Sequence, residues 1–148
     1  MFRELVMDPI GASADWEWHG YRNSHVEIDG KPMQSVSGGG VFINAQDQAR
    51  IGLMLLNRGL WDGRRILSEE WIDRMLEPCP LFRNYGYLWW LNTGRALYPS
   101  APADSYYARG AGGNLTWIDP AHDVVAVLRW TDPAAMDDFI RLTMAALM

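Results

Sequence analysis

Residues 106–130 constrain the fold of this chain more than any other stretch. Tyr106 and Tyr107 lead into Arg109-Gly110-Ala111-Gly112-Gly113-Asn114; residues 115–118 follow, then the turn sequence Asp119-Pro120-Ala121-His122-Asp123 and the β-branched run 124–130. Two apolar runs separated by Asp and Pro read as an antiparallel hairpin: Pro120 cannot donate to a ladder, and Asp119 is suited to bonding the backbone of its own turn. Behind it, Met136, Phe139, Ile140, Thr143 and Met144 recur at helical spacing, which predicts a closing helix over 133–147. The fold class implied is α+β, an antiparallel sheet of about three C-terminal strands with packed helices.

Upstream the pattern turns helical. Asn44 is a candidate N-cap for a helix with Asp47 in its first turn and Ala49, Leu53 and Leu56 on its apolar side; Gly52 is its weak spot and Gly59 its stop. Ser68-Glu69-Glu70 opens a second, shorter helix with Trp71, Ile72, Met75 and Leu76 on one side, ended by Pro78 and Pro80. Residues 2–7 read as a helical turn, 85–91 as an aromatic-rich strand, and 95–105 as a loop. Residues 12–43 read as mostly irregular, with a turn at Asp29-Gly30 and a side-chain-free backbone at Ser37-Gly38-Gly39-Gly40; Asp62-Gly63 marks another turn. Trp71, Trp89, Trp117 and Trp130 fall inside these elements and are assigned to the core, with a sugar- or ring-stacking platform as the alternative. At 148 residues the chain is expected to form a single domain, 1–148.

Composition removes several functions. A net charge of −5 without a basic stripe argues against nucleic acid as partner. The longest apolar runs fall far short of the ~18 residues of a membrane span, and no signal-peptide pattern is present, so as expressed the chain is expected in the cytoplasm, with its native compartment left open. Lys31 is the only lysine, which excludes a phosphate-binding Gly-Lys-Ser/Thr loop. It also excludes a Ser-x-x-Lys pair, since position 28 is Ile28. His19, His25, His122 and Cys79 are not at metal-site spacings, and no metal or cofactor is expected. Asp15, Glu17 and His19 would share one face of an extended segment, but solvated surface is the simpler reading; His122 reads as an exposed loop residue. The glycine-rich run Gly110, Ala111, Gly112, Gly113 and Asn114 is the best local candidate for a site, because glycines let backbone N–H groups approach a ligand as an oxyanion hole requires; a flexible turn is the plainer alternative.

Taken together and in order, several segments resemble the β-lactamase-related serine hydrolases, whose members include class C β-lactamases, penicillin-binding-protein-like esterases and nylon-oligomer hydrolases. They are Asp8-Pro9-Ile10-Gly11, Trp16-Glu17-Trp18-His19-Gly20-Tyr21, the run Gly38 to Arg50, Leu67-Ser68-Glu69-Glu70-Trp71, Tyr85-Gly86-Tyr87, Gly110-Ala111-Gly112-Gly113-Asn114 and Asp119-Pro120. The resemblance implies the C-terminal part of such an enzyme and a partial β-lactamase/transpeptidase-like fold. It implies acyl transfer to a serine of a Ser-x-x-Lys motif, assisted by the tyrosine of a Tyr-x-Asn motif, with a third motif on a strand at the oxyanion hole.

Of these three motifs only the last maps here, onto Gly110 to Asn114, where many relatives carry Lys-Thr-Gly or a histidine; the backbone contribution survives. Tyr21-Arg22-Asn23 has the letters of Tyr-x-Asn but follows the Pro-x-Gly segment, where the family tyrosine does not sit. The chain is therefore expected to carry part of a cleft for a small acyl substrate but no nucleophile, and to be inactive alone. Without the N-terminal strands it would expose a sheet edge, so the expected partner is a second copy or the missing N-terminal half. A non-catalytic binding module built on the same half-fold is the alternative; exposed Trp16 and Trp18 beside a closed pocket would favour it.

Overall fold

The computed structural model describes residues 1–20, 25–34 and 40–147. Tyr21-Arg22-Asn23 and the run Ser37-Gly38-Gly39 lie outside them. Contacts divide the chain into two compact units, one of Ser13–Asn44 and one of Met1–Ala12 with Ala45–Met148.

The smaller unit corrects the irregular reading of residues 12–43. It contains β1 (Glu17–His19), β2 (His25–Ile28), β3 (Lys31–Gln34) and β4 (Gly40–Phe42). β1 pairs with β4 and β2 with β3, all antiparallel. The β2–β3 connection has only Asp29 and Gly30 between the paired Ile28 and Lys31, at φ 52° and 73°. That is the primed turn Asp-Gly favours, because its twist matches that of the flanking strands. The alternation of Asp15-Trp16-Glu17-Trp18-His19 marks β1 and the Asp29-Gly30 turn marks the β2–β3 hairpin.

In the larger unit, residues 3–7 form a wide turn whose Met7 is buried, with Asp8 N donating to Arg3 O at 2.8 Å. α1 (Ala45–Leu56) follows and stops where Gly59, at φ 82°, donates its N–H to Met54 O at 2.8 Å. Its apolar face differs from the expected one: Leu53 is 42% exposed, while Gly52, Met54 and Leu55 are buried. Gly52 is the reason. A Cβ there would lie 2.6 Å from Val125 Cγ1 and 3.2 Å from Thr116 Cγ2, so the helix approaches the sheet along its glycine and turns Leu53 outward.

A two-residue hairpin, β5 (Leu60–Trp61) and β6 (Arg64–Arg65), turns at Asp62-Gly63. α2 (Glu69–Met75) is capped by Ser68, whose Oγ accepts from Trp71 N at 3.1 Å, and buries Ile72 and Met75. The strand expected over 85–91 reduces to β7 (Trp90–Leu91). Upstream of it Gly86 presses against the Met75 carbonyl, where a Cβ would overlap, and Leu88 takes φ 66°, so the chain doubles back and Gly86 N bonds Trp89 O.

The sheet is completed by β8 (Tyr106–Gly110), β9 (Asn114–Asp119) and β10 (Val124–Leu128), in the order β10-β9-β8-β7 and antiparallel throughout. α3 (Met136–Leu147) closes the chain after a 3₁₀ turn at Pro133–Ala135, entered through Asp132, whose side chain accepts from Ala134 N. Alternation along β9 sets the layers. Leu115 and Trp117 face the core shared with Tyr98, Tyr107, Met136 and Ile140, while Thr116 lies against α1. Of the four tryptophans assigned to the core, only Trp117 is fully buried; Trp89 is half-buried, and Trp71 and Trp130 are 41% and 74% exposed.

The loop expected over 95–105 forms, entered through a 3₁₀ turn at Thr93–Arg95 and folded around Asn92. This buried amide donates to the carbonyls of Tyr98, Ala101 and Pro102 at 3.0, 3.2 and 2.9 Å and accepts from the N–H groups of Leu97 and Tyr98.

Helix propensity alone favours Gly52→Ala by about 1 kcal/mol, but overpacking a tight contact costs about 1–3 kcal/mol. Val125 is β-branched, stiff at χ1, and cannot swing aside. Gly52→Ala is therefore expected to lower stability in urea unfolding. Val125→Ala in the same chain should recover part of the loss, whereas a stabilised single variant would refute the close approach.

Candidate functional site

The glycine-rich run is the turn joining β8 to β9. Gly110 ends β8 and Asn114 opens β9, paired in register, with 111–113 between them. Gly112 and Gly113 have φ of 76° and 72°, a region that costs an L-residue roughly 1–2 kcal/mol. Space excludes side chains as well. A Cβ on Gly112 would lie 2.5 Å from Trp130 Cζ3, and one on Gly113 would overlap the Thr131 carbonyl oxygen. Thr131 N in turn donates to Gly113 O at 3.1 Å.

A relay of side chains fixes the turn. Asn114 Nδ2 donates to Ala111 O at 2.6 Å and Asn114 Oδ1 accepts from Arg129 Nε at 2.8 Å. Arg129 Nη1 reaches Gln48 Oε1 at 3.3 Å, and Gln48 Nε2 donates to Thr116 Oγ1 at 2.7 Å. The bonds to the Arg129 guanidinium are charge-assisted and partly buried, which makes them stronger than neutral ones. Gln48 and Arg129 were not among the residues singled out from sequence. Gln48 stands one helical turn before Gly52 and so shares its face, but nothing local ties position 48 to position 129.

β7 pairs only with Tyr106 and Tyr107. Among the described residues, no strand flanks the outer edge of β8 from Ala108 to Gly110. Such an edge offers backbone donors and acceptors to a ligand, and next to it the turn offers glycines without side chains. Arg109 stands on this edge, its guanidinium 4.9 Å from the Trp90 ring centroid and 5.7 Å from that of Tyr98. Burial pushes the Tyr98 phenol above its usual value, and the nearby Arg109 charge pulls it the other way.

The other candidates have surroundings of their own. His19 Nε2 lies 3.1 Å from Glu17 Oε2 on the surface, and among the described residues no group of three His, Cys, Asp or Glu is placed to hold a metal. His122 sits in the β9–β10 turn with Nδ1 2.8 Å from Oδ2 of buried Asp119, whose Oδ1 accepts from Ala121 N; the pair shapes the hairpin. A cavity of about 440 Å³ lined by Glu77, Pro78, Cys79, Tyr85 and neighbours contains none of residues 110–114.

No protein-family profile matches the sequence. Over 110 residues, 64% of its length, the chain is 29% identical to a 6-aminohexanoate-dimer hydrolase of Paenarthrobacter ureafaciens. Its fold is shared with a penicillin-binding protein homologue from Caulobacter crescentus, at a TM-score of 0.56, 18% identity, and coverage of 78% of this chain and 34% of that one. A β-lactamase-like protein of Bacteroides dorei gives a TM-score of 0.57 at 20% identity, covering 86% of this chain and 42% of that one. By these comparisons the chain is similar to β-lactamase-related serine hydrolases over part of their length. It spans only part of the family's proteins: 26% of the length of the curated relative. No helix among the described residues is long and apolar enough to cross a membrane.

The two ends of the turn should respond differently to substitution. Gly113→Ala, blocked by backbone and by a left-handed φ, is expected to lose at least about 2 kcal/mol in urea unfolding. Gly110→Ala meets only Asn114 Cβ at 3.5 Å, an ordinary contact, and should change stability little. Equal effects would contradict the turn geometry.

Proposed function

We propose that the chain supplies one wall of the cleft of an acyl-transferring serine hydrolase, acting in the complete enzyme on an ester, amide or β-lactam of a small molecule. The observation that carries this reading is the β8–β9 turn. Its Gly112-Gly113 backbone is free of side chains, its neighbouring strand edge is unflanked among the described residues, and the Asn114–Arg129–Gln48 relay holds it rigid. Gly110, Ala111, Gly112, Gly113 and Asn114 contribute backbone at the oxyanion side, where preorganised N–H donors stabilise developing negative charge. The nucleophile is not among these residues, because no Ser-x-x-Lys pair exists in the 148.

The 148-residue chain is accordingly expected not to turn over a chromogenic cephalosporin or a nitrophenyl ester. Turnover abolished by changing one of its own serines would overturn this. The binding-module reading asked for exposed Trp16 and Trp18; Trp18 is exposed and Trp16 half-buried.

A second part of the proposal concerns partners. β10 is the outer strand of the sheet, with Val124, Val125, Ala126 and Val127 half-buried and no strand beyond it among the described residues. An apolar edge of this kind is a template for another strand, and a second copy of the chain would fit it. Light scattering is expected to show a dimer or larger assembly; a monodisperse monomer at working concentration would refute the pairing.

A further inference from the structure

We propose that Trp130 is a stacking platform for a planar, conjugated group of the ligand at the lip of the β8–β9 turn, a proposal that rests on reading that turn as a cleft wall. An indole on the surface forgoes the burial its apolar area would gain, and Trp130 is 74% exposed. It also adopts φ 56°. For a bulky side chain this is an outlier, and strained residues of this kind persist only where their surroundings fix them.

The surroundings do so from both sides. Arg129, one residue before, is bonded through Nε to Asn114 and through Nη1 to Gln48. Thr131, one residue after, donates its N–H to Gly113 O. Held between these two anchors, the benzo edge of the indole lies over Gly112, so close that a Cβ there would sit 2.5 Å from Cζ3 and 2.8 Å from Cε3. The glycine thus serves the tryptophan as much as the turn. Its missing side chain lets the ring rest on backbone and leaves most of the ring open.

A rigid, exposed indole beside a polar backbone edge selects by shape and π-character. Flat conjugated groups stack on it; saturated rings of the same size do not gain the same contact. The ligand class is therefore an amide, ester or lactam bearing an aromatic or conjugated substituent next to the reacting carbonyl or leaving group.

The test is a titration of the ¹⁵N-labelled chain with N-methyl-4-nitrobenzamide and with N-methylcyclohexanecarboxamide, followed through the indole Nε1–H resonances. The variant Trp130→Asn identifies the Trp130 signal by its loss and keeps a residue that tolerates the left-handed backbone, so its urea midpoint should not fall. The aromatic amide is expected to shift the Trp130 signal and to bind the wild type about three- to ten-fold more tightly than it binds Trp130→Asn, with Trp130→Tyr restoring most of that difference. The saturated amide should bind the wild type several-fold more weakly. Equal affinity for the two amides, unchanged affinity in Trp130→Asn, or a Trp130 shift that follows protein concentration alone would each overturn the platform. No arm depends on turnover. Ester cleavage by one of the chain's own serines would therefore defeat the proposed division of the active site and leave the platform standing.

Discussion

The larger unit is arranged around β9, a central strand buried on both faces along most of its length. Leu115 and Trp117 are enclosed on the α3 side; Thr116 is enclosed on the α1 side, with Tyr106 and Ile118 buried in register beside each other. A strand in this position cannot move without disturbing two helices and two neighbouring strands. Its polar side chain must also be satisfied, because an unpaired hydroxyl in such a place costs about 1–3 kcal/mol. The partner is Gln48, and that single requirement sets the rotational position of α1. Once Gln48 faces Thr116, Gly52 faces Val125 and the two layers close to within the thickness of a bare backbone.

The same bond begins the path that ends at the glycine turn. Gln48 passes its carbonyl to Arg129, Arg129 passes its charge to Asn114, and Asn114 spans its own turn to Ala111 O. Flexibility is what four glycines and alanines in a row suggest, yet both ends of this segment are bonded and its tips rest on residues 130 and 131. Rigidity here comes from outside the segment. For a wall of backbone donors that is the useful arrangement, since preorganised dipoles need no rearrangement when charge appears.

What was legible in the sequence was local chemistry. Asp29-Gly30 and Asp62-Gly63 turn as written, Ser68 caps its helix, and the Asp119-Pro120 hairpin pairs Val124 with Asp119. The resemblance to the hydrolase family was carried by such ordered short segments and agrees with the relatives and neighbours found. What was not legible depends on distant partners. Residues 85–91 have strand composition, but the Met75 carbonyl occupies the space Gly86 leaves and the chain bends there instead. Trp71 and Trp130 sit at core-like positions in their local patterns, yet among the described residues they remain 41% and 74% exposed. Gln48 and Arg129 are 81 positions apart, and only the crossing of α1 over β9 brings them together. The fourth strand of the sheet, β7, keeps only the last two residues of the strand expected over 85–91.

Asn92 has a consequence of a different kind. Five backbone groups between residues 97 and 102 depend on one amide, so the loop has no partial state in which some of those bonds survive while the amide is displaced. Its opening is a single event. In hydrogen exchange, the N–H groups of Leu97 and Tyr98 would then share one protection factor, and a protease would find residues 97–102 either wholly closed or wholly available. A segment without regular structure thereby acquires the all-or-none behaviour usually credited to helices and sheets.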